Sequence, residues 1–397
     1  MEEKVSIVLI GINGYGSIYL QELLNNNETA AIKGVVEIHP EKSEYYQQLA
    51  DWNIPVYGGL DEFYEENDAA LAIISTPIHL HKQQAISAMQ HGSHVLCEKP
   101  ASGNPEDIEK MIKVRNETGK FLAIGFNWSF TTSVQELKQD IIHGLFGKPK
   151  RFKTLVSWPR DQDYYARSSW AGKKYSPNGD MIFDSVANNA TAHFLHHLFY
   201  LLGPETDKSA ELREVTAELY RANDIETFDT CAVRTVTKTG TEVLYYASHA
   251  GKQKIQPRFT LEFDNAVISY QSGSSTGEAV IARFNDGKTK KYGALQHDSL
   301  AKLEICIEAA AHHRQDILCG IEAASTHVYC INAMHQSVTD IPSFPQELVH
   351  YQDDPKLCWV ENLSETLVDC YEKSVLPNEV NIGWSQPGKT IKLHDKD

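Results

Sequence analysis

The chain has 397 residues and a net charge of −16, from 37 lysines and arginines against 53 aspartates and glutamates. This acidic balance argues against nucleic-acid binding, which needs a basic surface. A chain of this length is too long to fold around one simple hydrophobic core, so we expect two domains. The sequence shows no charged-then-apolar leader and no apolar run near the roughly 18 residues of a membrane span, so no membrane partner is expected. Seven cysteines without a CxxC pair indicate reduced thiols in a cytoplasmic protein.

The first predicted strand, Val5 to Ile10, is apolar enough to be buried on both faces. It leads into a glycine-rich turn, Gly11-Ile12-Asn13-Gly14-Tyr15-Gly16, and a helix whose predicted apolar face is Ile18, Leu20, Leu23 and Leu24. Asn13 stands where the GxGxxG pattern has its second glycine, and asparagine tolerates a left-handed backbone. A turn of this type at a helix N-terminus predicts phosphate binding.

The second predicted strand, Ile32 to Val36, ends at Glu37, about 20 residues after the glycines. An acidic side chain at that spacing predicts binding of an adenosine ribose. A carboxylate there repels a 2′-phosphate, so we expect NAD, with NADP disfavoured. A solvated acid at the strand end is the alternative interpretation.

Strands and helices then alternate, which predicts a parallel, doubly wound sheet. The strands are Leu71 to Ile74, Val95-Leu96 and Phe121 to Gly125, and the helices are His81 to Gln90 and Pro105 to Thr118. Ser75-Thr76-Pro77 follows one strand, and Glu98-Lys99-Pro100, called the elbow below, follows the next. Ligands of open α/β sheets bind at these strand ends, so Lys99 lies where chemistry is expected.

Four elements together resemble the Gfo/Idh/MocA oxidoreductase family: the glycine turn, Thr76-Pro77-x-x-x-His81, the elbow, and Gly125-Phe126-Asn127. The resemblance implies an NAD(P)-binding Rossmann domain over residues 1–128. It also implies an α+β domain over residues 129–397, with an open, mostly antiparallel sheet that covers the nicotinamide and supports homodimers or homotetramers.

The same resemblance implies which residues bind the cofactor. They are Gly11, Asn13, Gly14, Tyr15, Gly16, Glu37, Ser75, Thr76, Pro77, His81, Glu98, Lys99 and Asn127. Lys99 is expected to hydrogen-bond the reacting oxygen, where an ammonium stabilises a developing alkoxide and a neutral amine accepts a proton. An exposed Glu98–Lys99 ion pair is the structural alternative.

Within the second domain, the sequence changes character after Gly147-Lys148-Pro149, and strand-like segments recur. These are Arg151 to Trp158, Thr230 to Val236, Glu242 to His249, Phe259 to Phe263 and Ala266 to Tyr270, the last two predicted as a hairpin.

Family members carry an aspartate and, four residues later, a histidine at a helix start in this domain. Here Asp184 matches the aspartate, but Asn188 occupies the histidine position. An amide orients a hydroxyl and does not deprotonate it. Proton transfer would then fall to Lys99 or to a histidine such as His193, which a regular helix places about 140° away from Asn188. His193 and His197 are one turn apart, but no further ligand spacing indicates a metal, and none is expected.

A segment dense in aromatic and basic residues precedes Asp184, and we name residues 157–173 the arginine–aromatic segment. Its mixture of ring faces and cations suits a polyhydroxylated or acidic sugar. The substrate-binding candidates are Arg160, Tyr164, Arg167, Trp170 and Lys173. An extended arm that packs on a neighbouring domain or subunit is an equal alternative.

Taken together, these features predict an NAD(P)-dependent oxidoreductase acting on a secondary alcohol of a sugar, cyclitol or sugar acid. One alternative keeps the cofactor bound and oxidises the substrate transiently to drive elimination or glycoside cleavage. A second alternative is a cofactor-bound sensor without catalysis.

Overall fold

The computed structural model describes residues 4–26, 28–273, 278–295 and 300–393. Contacts divide the chain into two compact units. The first holds the chain up to Phe130 and a later segment that ends at Ser325, and the second holds the remainder. Within the described ranges, none of the helices combines the length and apolar character that crossing a membrane requires.

The strands follow one another along the chain as listed here. They are β1 (Val5–Ile10), β2 (Ala30–Val36), β3 (Val56–Tyr57), β4 (Leu71–Ile74), β5 (His94–Cys97), β6 (Leu122–Ile124), β7 (Pro149–Ser157), β8 (Leu212–Tyr220), β9 (Thr230–Thr237), β10 (Glu242–Ser248), β11 (Ile255–Phe263), β12 (Ala266–Gln271), β13 (Ala279–Phe284), β14 (Thr289–Ala294), β15 (Val349–Asp353), β16 (Lys356–Val360) and β17 (Ile391–Lys392).

The α-helices are numbered in the same way. They are α1 (Gly16–Asn25), α2 (Tyr46–Asp51), α3 (Leu60–Glu66), α4 (His81–Gln90), α5 (Pro105–Thr118), α6 (Thr132–Ile142), α7 (Gln162–Ala166), α8 (Ala192–Leu201), α9 (Ala301–Ala311), α10 (Ile321–Ser337) and α11 (Leu363–Lys373).

The first unit is built on a six-stranded parallel sheet with the order β3-β2-β1-β4-β5-β6. This is the doubly wound order of dinucleotide-binding folds, and it confirms the predicted sheet. Strands β4 and β5 are buried along their whole length, as parallel strands covered on both faces must be. In α1, Tyr19 packs into the core and Ile18 is 36% exposed, so the predicted apolar face was wrong at that position.

Helix α9 returns to this sheet after the sequence of the second unit has intervened. It packs against β1, β4 and β5. Its buried residues include Lys302, a charged side chain on an otherwise apolar stripe. The helix therefore belongs to the nucleotide-binding fold, although the sequence places it in the C-terminal half.

The second unit contains a nine-stranded sheet, β14-β13-β12-β11-β7-β10-β9-β8-β17, as the predicted mostly antiparallel sheet requires. Its neighbours pair antiparallel except β7 with β10. The predicted hairpin is confirmed as β11 and β12. Tyr246 packs in one core with Leu363 and Leu367 of α11. Tyr245, pointing to the opposite face, contacts Thr191 beside α8. Helices of the same unit therefore cover both faces of the central strands.

Candidate active site

The glycine turn closes tightly between β1 and α1. Gly11 and Gly14 have left-handed backbones, with φ of 81° and 58°. The left-handed position expected at Asn13 therefore falls on Gly14, and the Asn13 amide instead donates to the His39 carbonyl at 3.2 Å. A Cβ on Gly16 would lie 2.1 Å from the Gly11 carbonyl oxygen. Only glycine fits there, so the turn leads directly into the N-terminus of α1, the kind of helix end that binds phosphate.

Glu37 is fixed beside this turn. Its carboxylate accepts the backbone N–H of Ile12 at 3.1 Å and that of His39 at 3.0 Å. The side chain is half-buried. Two backbone donors orient it, which a freely solvated acid would lack. Its contact with a ribose stays a prediction.

The loop after β4 connects to the elbow through His81. The two ring nitrogens of His81 lie 2.8 Å from the carbonyl oxygens of Thr76 and Pro100. Burial lowers the pKa of His81, and the two carbonyls oppose that change. Thr76 donates its hydroxyl to Gln84 at 2.5 Å, and Pro77 leads into a short helical turn. His81 thus holds the two loops together.

The elbow carries a buried carboxylate. Glu98 is 8% exposed, and its Oε1 accepts hydrogen bonds from Tyr19 at 2.7 Å and from Lys302 at 2.5 Å. Its Oε2 accepts the backbone N–H of Lys99 at 3.2 Å. Because Glu98 is buried and paired with Lys302, the alternative of an exposed Glu98–Lys99 ion pair is wrong.

The charge of Glu98 is stabilised from several sides. Burial alone would raise the pKa of this carboxyl. The Lys302 ammonium and the hydrogen bonds from Lys302 and Tyr19 outweigh that penalty, so the pKa lies below its usual value. Glu98 is therefore a fixed anion within the first unit.

The end of β6 completes this group. A Cβ on Gly125 would lie 2.8 Å from Glu98 Oε1, so glycine is needed to admit the carboxylate. Asn127 donates its amide to the Tyr15 hydroxyl at 3.4 Å. Glycine turn, elbow and β6 end thus meet around one carboxylate.

Two observations indicate that these residues could hold a dinucleotide. The turn is a cradle, because a Cβ on Gly11 would come within 3.1 Å of Ser75 and Thr76. Ser75 Oγ and Asn127 Oδ1 are also buried without a hydrogen-bond partner among the described residues. Buried polar atoms are nearly always satisfied, so a ligand at the carboxyl ends of β4 and β6 would supply what they lack.

In the second unit, Asp184 is 3% exposed. Its carboxylate accepts the Gly172 N–H at 2.7 Å, the Asn189 amide at 2.8 Å and Arg167 at 3.3 Å. Burial raises its pKa more than these partners lower it. Phe183, immediately before it, has a left-handed φ of 49°, which a non-glycine residue adopts only at a cost of about 1–3 kcal/mol.

The turn after Asp184 corrects the expected helix. Helix α8 begins at Ala192, so Asn188 and His193 do not share one regular helix. Asn188 is fully buried and donates its amide to the Ile182 carbonyl at 2.9 Å. His193 is half-buried in the first turn of α8. In the part of the chain that the structure describes, no three His, Cys, Asp or Glu residues cluster as metal ligands would.

The arginine–aromatic segment forms a stacked cluster within the second unit. The Arg167 guanidinium lies 3.9 Å from the Tyr164 ring centre and 5.0 Å from that of Trp170. Arg160 lies 4.9 Å from the Tyr164 ring centre. Lys173 instead pairs with Glu226 at 3.0 Å on the surface. Four of the five predicted substrate residues are thus brought together.

His249, which follows β10, joins this cluster. Its ring centre is 5.6 Å from that of Tyr164, and its Nδ1 lies 2.8 Å from the Trp158 carbonyl. A carbonyl only accepts, so Nδ1 carries the proton and Nε2 is an acceptor. Burial lowers the pKa of His249 to about 3, with Arg160 and Arg167 contributing. Its Nε2 is buried without a partner among the described residues, as is Arg160 Nε.

Sequence reasoning therefore missed Lys302 and His249. The signal for Lys302 was a lysine on the apolar stripe that Cys306, Ala309 and Ala310 continue. The signal for His249 was a histidine at the end of the predicted strand Glu242 to His249.

Comparison with known proteins shows which family the first unit resembles. Residues 5–126 match the model of the oxidoreductase family with an NAD-binding Rossmann fold, Gfo/Idh/MocA. A relative named 2,7-anhydro-N-acetylneuraminate hydratase, from Mediterraneibacter gnavus, is 30% identical over 199 residues, which are 50% of this chain and 48% of that protein. Myo-inositol 2-dehydrogenase of Thermotoga maritima is 23% identical over 225 residues, which are 56% of this chain and 62% of that protein.

A solved structure, the WlbA dehydrogenase of Bordetella pertussis in complex with NADH and UDP-GlcNAcA, superposes with a TM-score of 0.68. It is 19% identical, and the match covers 85% of this chain and 97% of that one, which establishes the fold.

Together the glycine turn, the sheet order and these matches define a Rossmann fold in the first unit. Over residues 5–126 the chain is similar to the Gfo/Idh/MocA oxidoreductase family. It spans 48% of the length of the first of these two curated relatives and 62% of the second.

Proposed function

We propose that this protein is an NAD-dependent oxidoreductase that acts on a secondary alcohol of a sugar, cyclitol or sugar acid. The observation that carries the proposal is the elbow at the carboxyl end of β5. It lies two strands from the glycine turn in the same sheet, beside the buried unpartnered atoms of Ser75 and Asn127. This is the edge at which open α/β sheets bind ligands.

The cofactor would be held by the turn and by Glu37. The glycine turn at the N-terminus of α1 suits the pyrophosphate, and the oriented Glu37 carboxylate suits two ribose hydroxyls. Its charge disfavours a 2′-phosphate, which supports NAD over NADP. A bound NAD supplies the hydride acceptor for the reaction.

Lys99 is proposed to act on the substrate oxygen. As the carbinol C–H bond breaks, negative charge grows on that oxygen, and an ammonium within hydrogen-bond reach stabilises it. The hydroxyl proton leaves to Lys99 in its neutral form or to another base. Asp184 and His193 remain candidates for proton handling within the second unit, whereas the Asn188 amide is committed to the Ile182 carbonyl.

The experiment compares the wild type with Lys99→Ala, using NADH absorbance on a panel of polyols, aldoses and sugar acids. Loss of the ammonium should lower kcat by about 100-fold to 1,000-fold. NADH binding, measured by fluorescence, should change little. Lys113→Ala is the matched control, because this α5 lysine is 75% exposed.

Three results would contradict the proposal. Absence of nucleotide binding would remove the redox assignment. Binding without turnover of any substrate would indicate a sensor. Product formation without net NADH would indicate transient oxidation by a retained cofactor.

We further propose that the substrate carries a carboxylate, held by Arg160. This guanidinium has a buried Nε without a partner among the described residues, whereas Arg167 is bound to Asp184 and Lys173 to Glu226. His249 Nε2, a neutral acceptor in the same cluster, would accept a hydrogen bond from a substrate hydroxyl.

Arg160→Met tests this assignment. It should raise KM for a hexuronic acid by about tenfold, equivalent to about 1.4 kcal/mol, and leave KM for the matching neutral sugar unchanged. Arg213→Met is the control, since this arginine is 54% exposed on β8. An equal rise in KM for both sugars would exclude a carboxylate at Arg160.

Homo-oligomerisation through the C-terminal sheet also remains a proposal. Because α11 covers β7 and β10 on one face, we place the contact on the neighbouring strands, where Val267 of β12 is 42% exposed. Val267→Asp should lower the oligomeric mass in light scattering, and an unchanged mass would place the contact elsewhere.

A further inference from the structure

We propose that Lys302 is a positioning residue for the elbow: by pairing with Glu98, it fixes the backbone of Lys99 and keeps the Glu98 charge away from the Lys99 ammonium. This inference rests on the proposed function, because it concerns the residue assigned to the substrate oxygen.

The geometry places Lys302 at the centre of the buried group. Its side chain is fully buried, and Nζ lies 2.5 Å from Glu98 Oε1 and 3.4 Å from the Gly125 carbonyl oxygen. It also lies 3.4 Å from the Tyr15 hydroxyl, and 4.6 Å and 5.2 Å from the ring centres of Tyr15 and Tyr19. Lys302 of α9 thus contacts the glycine turn, α1, the elbow and the end of β6.

Packing alone does not explain a lysine at this position. Burying an ammonium costs several kcal/mol, and an ion pair recovers that cost only with good geometry and further hydrogen bonds. Leucine or methionine would fill the same stripe of α9 without the penalty. A charged residue at position 302 is needed only if the Glu98 carboxylate must stay ionised and in place.

The carboxylate links Lys302 to the proposed catalytic lysine. Oε1 faces Lys302, and Oε2 accepts the backbone N–H of Lys99. Without Lys302, Glu98 would either protonate or turn towards the Lys99 ammonium, which is the next cation acting on it. Either change displaces the Lys99 side chain or compensates the charge of its ammonium. A displacement of about 1 Å at a reacting group can lower a rate 100-fold.

Several other titratable groups surround this pair, and a pH study must account for them. Those acting on Glu98, or on its partners Tyr19 and Lys302, are Tyr15, Tyr19, His81, Cys97, Lys99, Lys302 and Cys306.

The experiment uses Lys302→Met, Lys302→Arg, Glu98→Gln and the double variant Lys302→Met/Glu98→Gln, with Lys113→Met as control. Lys302→Met should lower kcat by about 100-fold while the Kd for NADH stays within about threefold of the wild type. Lys302→Arg should restore part of kcat, because it returns the charge. The double variant should exceed Lys302→Met in kcat, because no buried carboxylate remains unpaired.

The pH profile separates positioning from simple loss of packing. In Lys302→Met, burial without a cation raises the pKa of Glu98 in the folded state. A raised folded pKa gives stability that is present in acid and is lost as pH rises through that pKa. The Tm and kcat of this variant should therefore fall towards alkaline pH relative to wild type, and the double variant should show no such trend.

Thermal unfolding needs no turnover, so the two proposals can fail separately. Failure of wild type to bind NADH would end the proposed function, while the pH-dependent Tm would still test the Lys302–Glu98 pair. Unchanged kcat in Lys302→Met would overturn the positioning role. So would a double variant as impaired as Lys302→Met and equally sensitive to pH.

Discussion

Glu98 in the first unit and Asp184 in the second are both buried carboxylates paired with a cation, yet their pKa values move in opposite directions. Glu98 is 8% exposed and pairs with Lys302, and its pKa is lowered. Asp184 is 3% exposed and pairs with Arg167, and its pKa is raised. Burial opposes the charged form in both.

The difference lies in the partners. Lys302 is fully buried and 2.5 Å from Glu98, so its field is little screened. Arg167 is 27% exposed and 3.3 Å from Asp184, and the remaining partners of Asp184 are neutral amides. A salt bridge therefore does not by itself fix the charge of a buried acid. Glu98 is held as an anion, whereas Asp184 is closer to taking up a proton.

The largest effect is expected from crowding the Glu98 carboxylate. In Gly125→Ala, the new Cβ would lie 2.8 Å from Oε1 and push the carboxylate away from Lys302. Overpacking of this kind costs about 1–3 kcal/mol, and the disturbed ion pair should bring the loss near about 3 kcal/mol. Denaturant unfolding measures it. Gly58→Ala is the control, since its Cβ would meet only Glu62 at an ordinary 3.6 Å. Equal losses in both variants would show that Glu98 is not tightly held.

A smaller loss is expected on the other side of the comparison. Arg167→Met removes the cation from Asp184 but leaves the hydrogen bonds from Gly172 and Asn189. We expect a loss of about 1–2 kcal/mol, below the 3–5 kcal/mol of a fully buried pair. Lys173→Met, which breaks an exposed pair with Glu226, should cost under about 0.5 kcal/mol. If Arg167→Met destabilised the protein as much as Gly125→Ala, the two carboxylates would be equally dependent on charge.

The sequence predicted the first unit well where local signals set the structure. Helix α5 begins and ends as predicted, because the Asn104 side chain accepts the Glu106 N–H and Gly119 takes a left-handed φ of 66°. The glycine turn and elbow were found because their chemistry lies in consecutive residues. Lys302 was missed because its partner, Glu98, is 204 residues away in the chain.

The second unit was harder to predict for a physical reason. Strand β8 carries Arg213, Glu214 and Glu218 among its apolar residues, so its apolar signal is weak. The expected helix after Asp184 fails because Phe183 is left-handed and a turn through Asn188 precedes α8. Both features depend on tertiary contacts that a local pattern does not contain.

A third carboxylate, Glu37, tests the effect of charge at a side chain that is only half-buried. Glu37→Gln keeps an oxygen able to accept from Ile12 or His39 but removes the charge. Without repulsion of a 2′-phosphate, the ratio of kcat/KM for NAD to that for NADP should fall about tenfold, equivalent to about 1.4 kcal/mol. Tm should change little, because the side chain is only half-buried. An unchanged ratio would place cofactor choice outside this carboxylate. The exposed Glu41→Gln serves as the control.

The smallest effect, and the one with the most informative sign, is expected from Asp184→Asn. Because the folded pKa of Asp184 is raised, its contribution to stability is present below the unfolded pKa and is lost as pH rises through the folded pKa. The stability advantage of wild type over Asp184→Asn should therefore be greatest in acid and shrink towards neutral pH. For Glu98→Gln the lowered pKa requires the reverse, an advantage of wild type that disappears as pH falls. Urea midpoints across the acidic range measure both slopes. Slopes of the same sign would mean that the ion pair with Arg167 outweighs burial at Asp184, and the distinction between the two units would vanish.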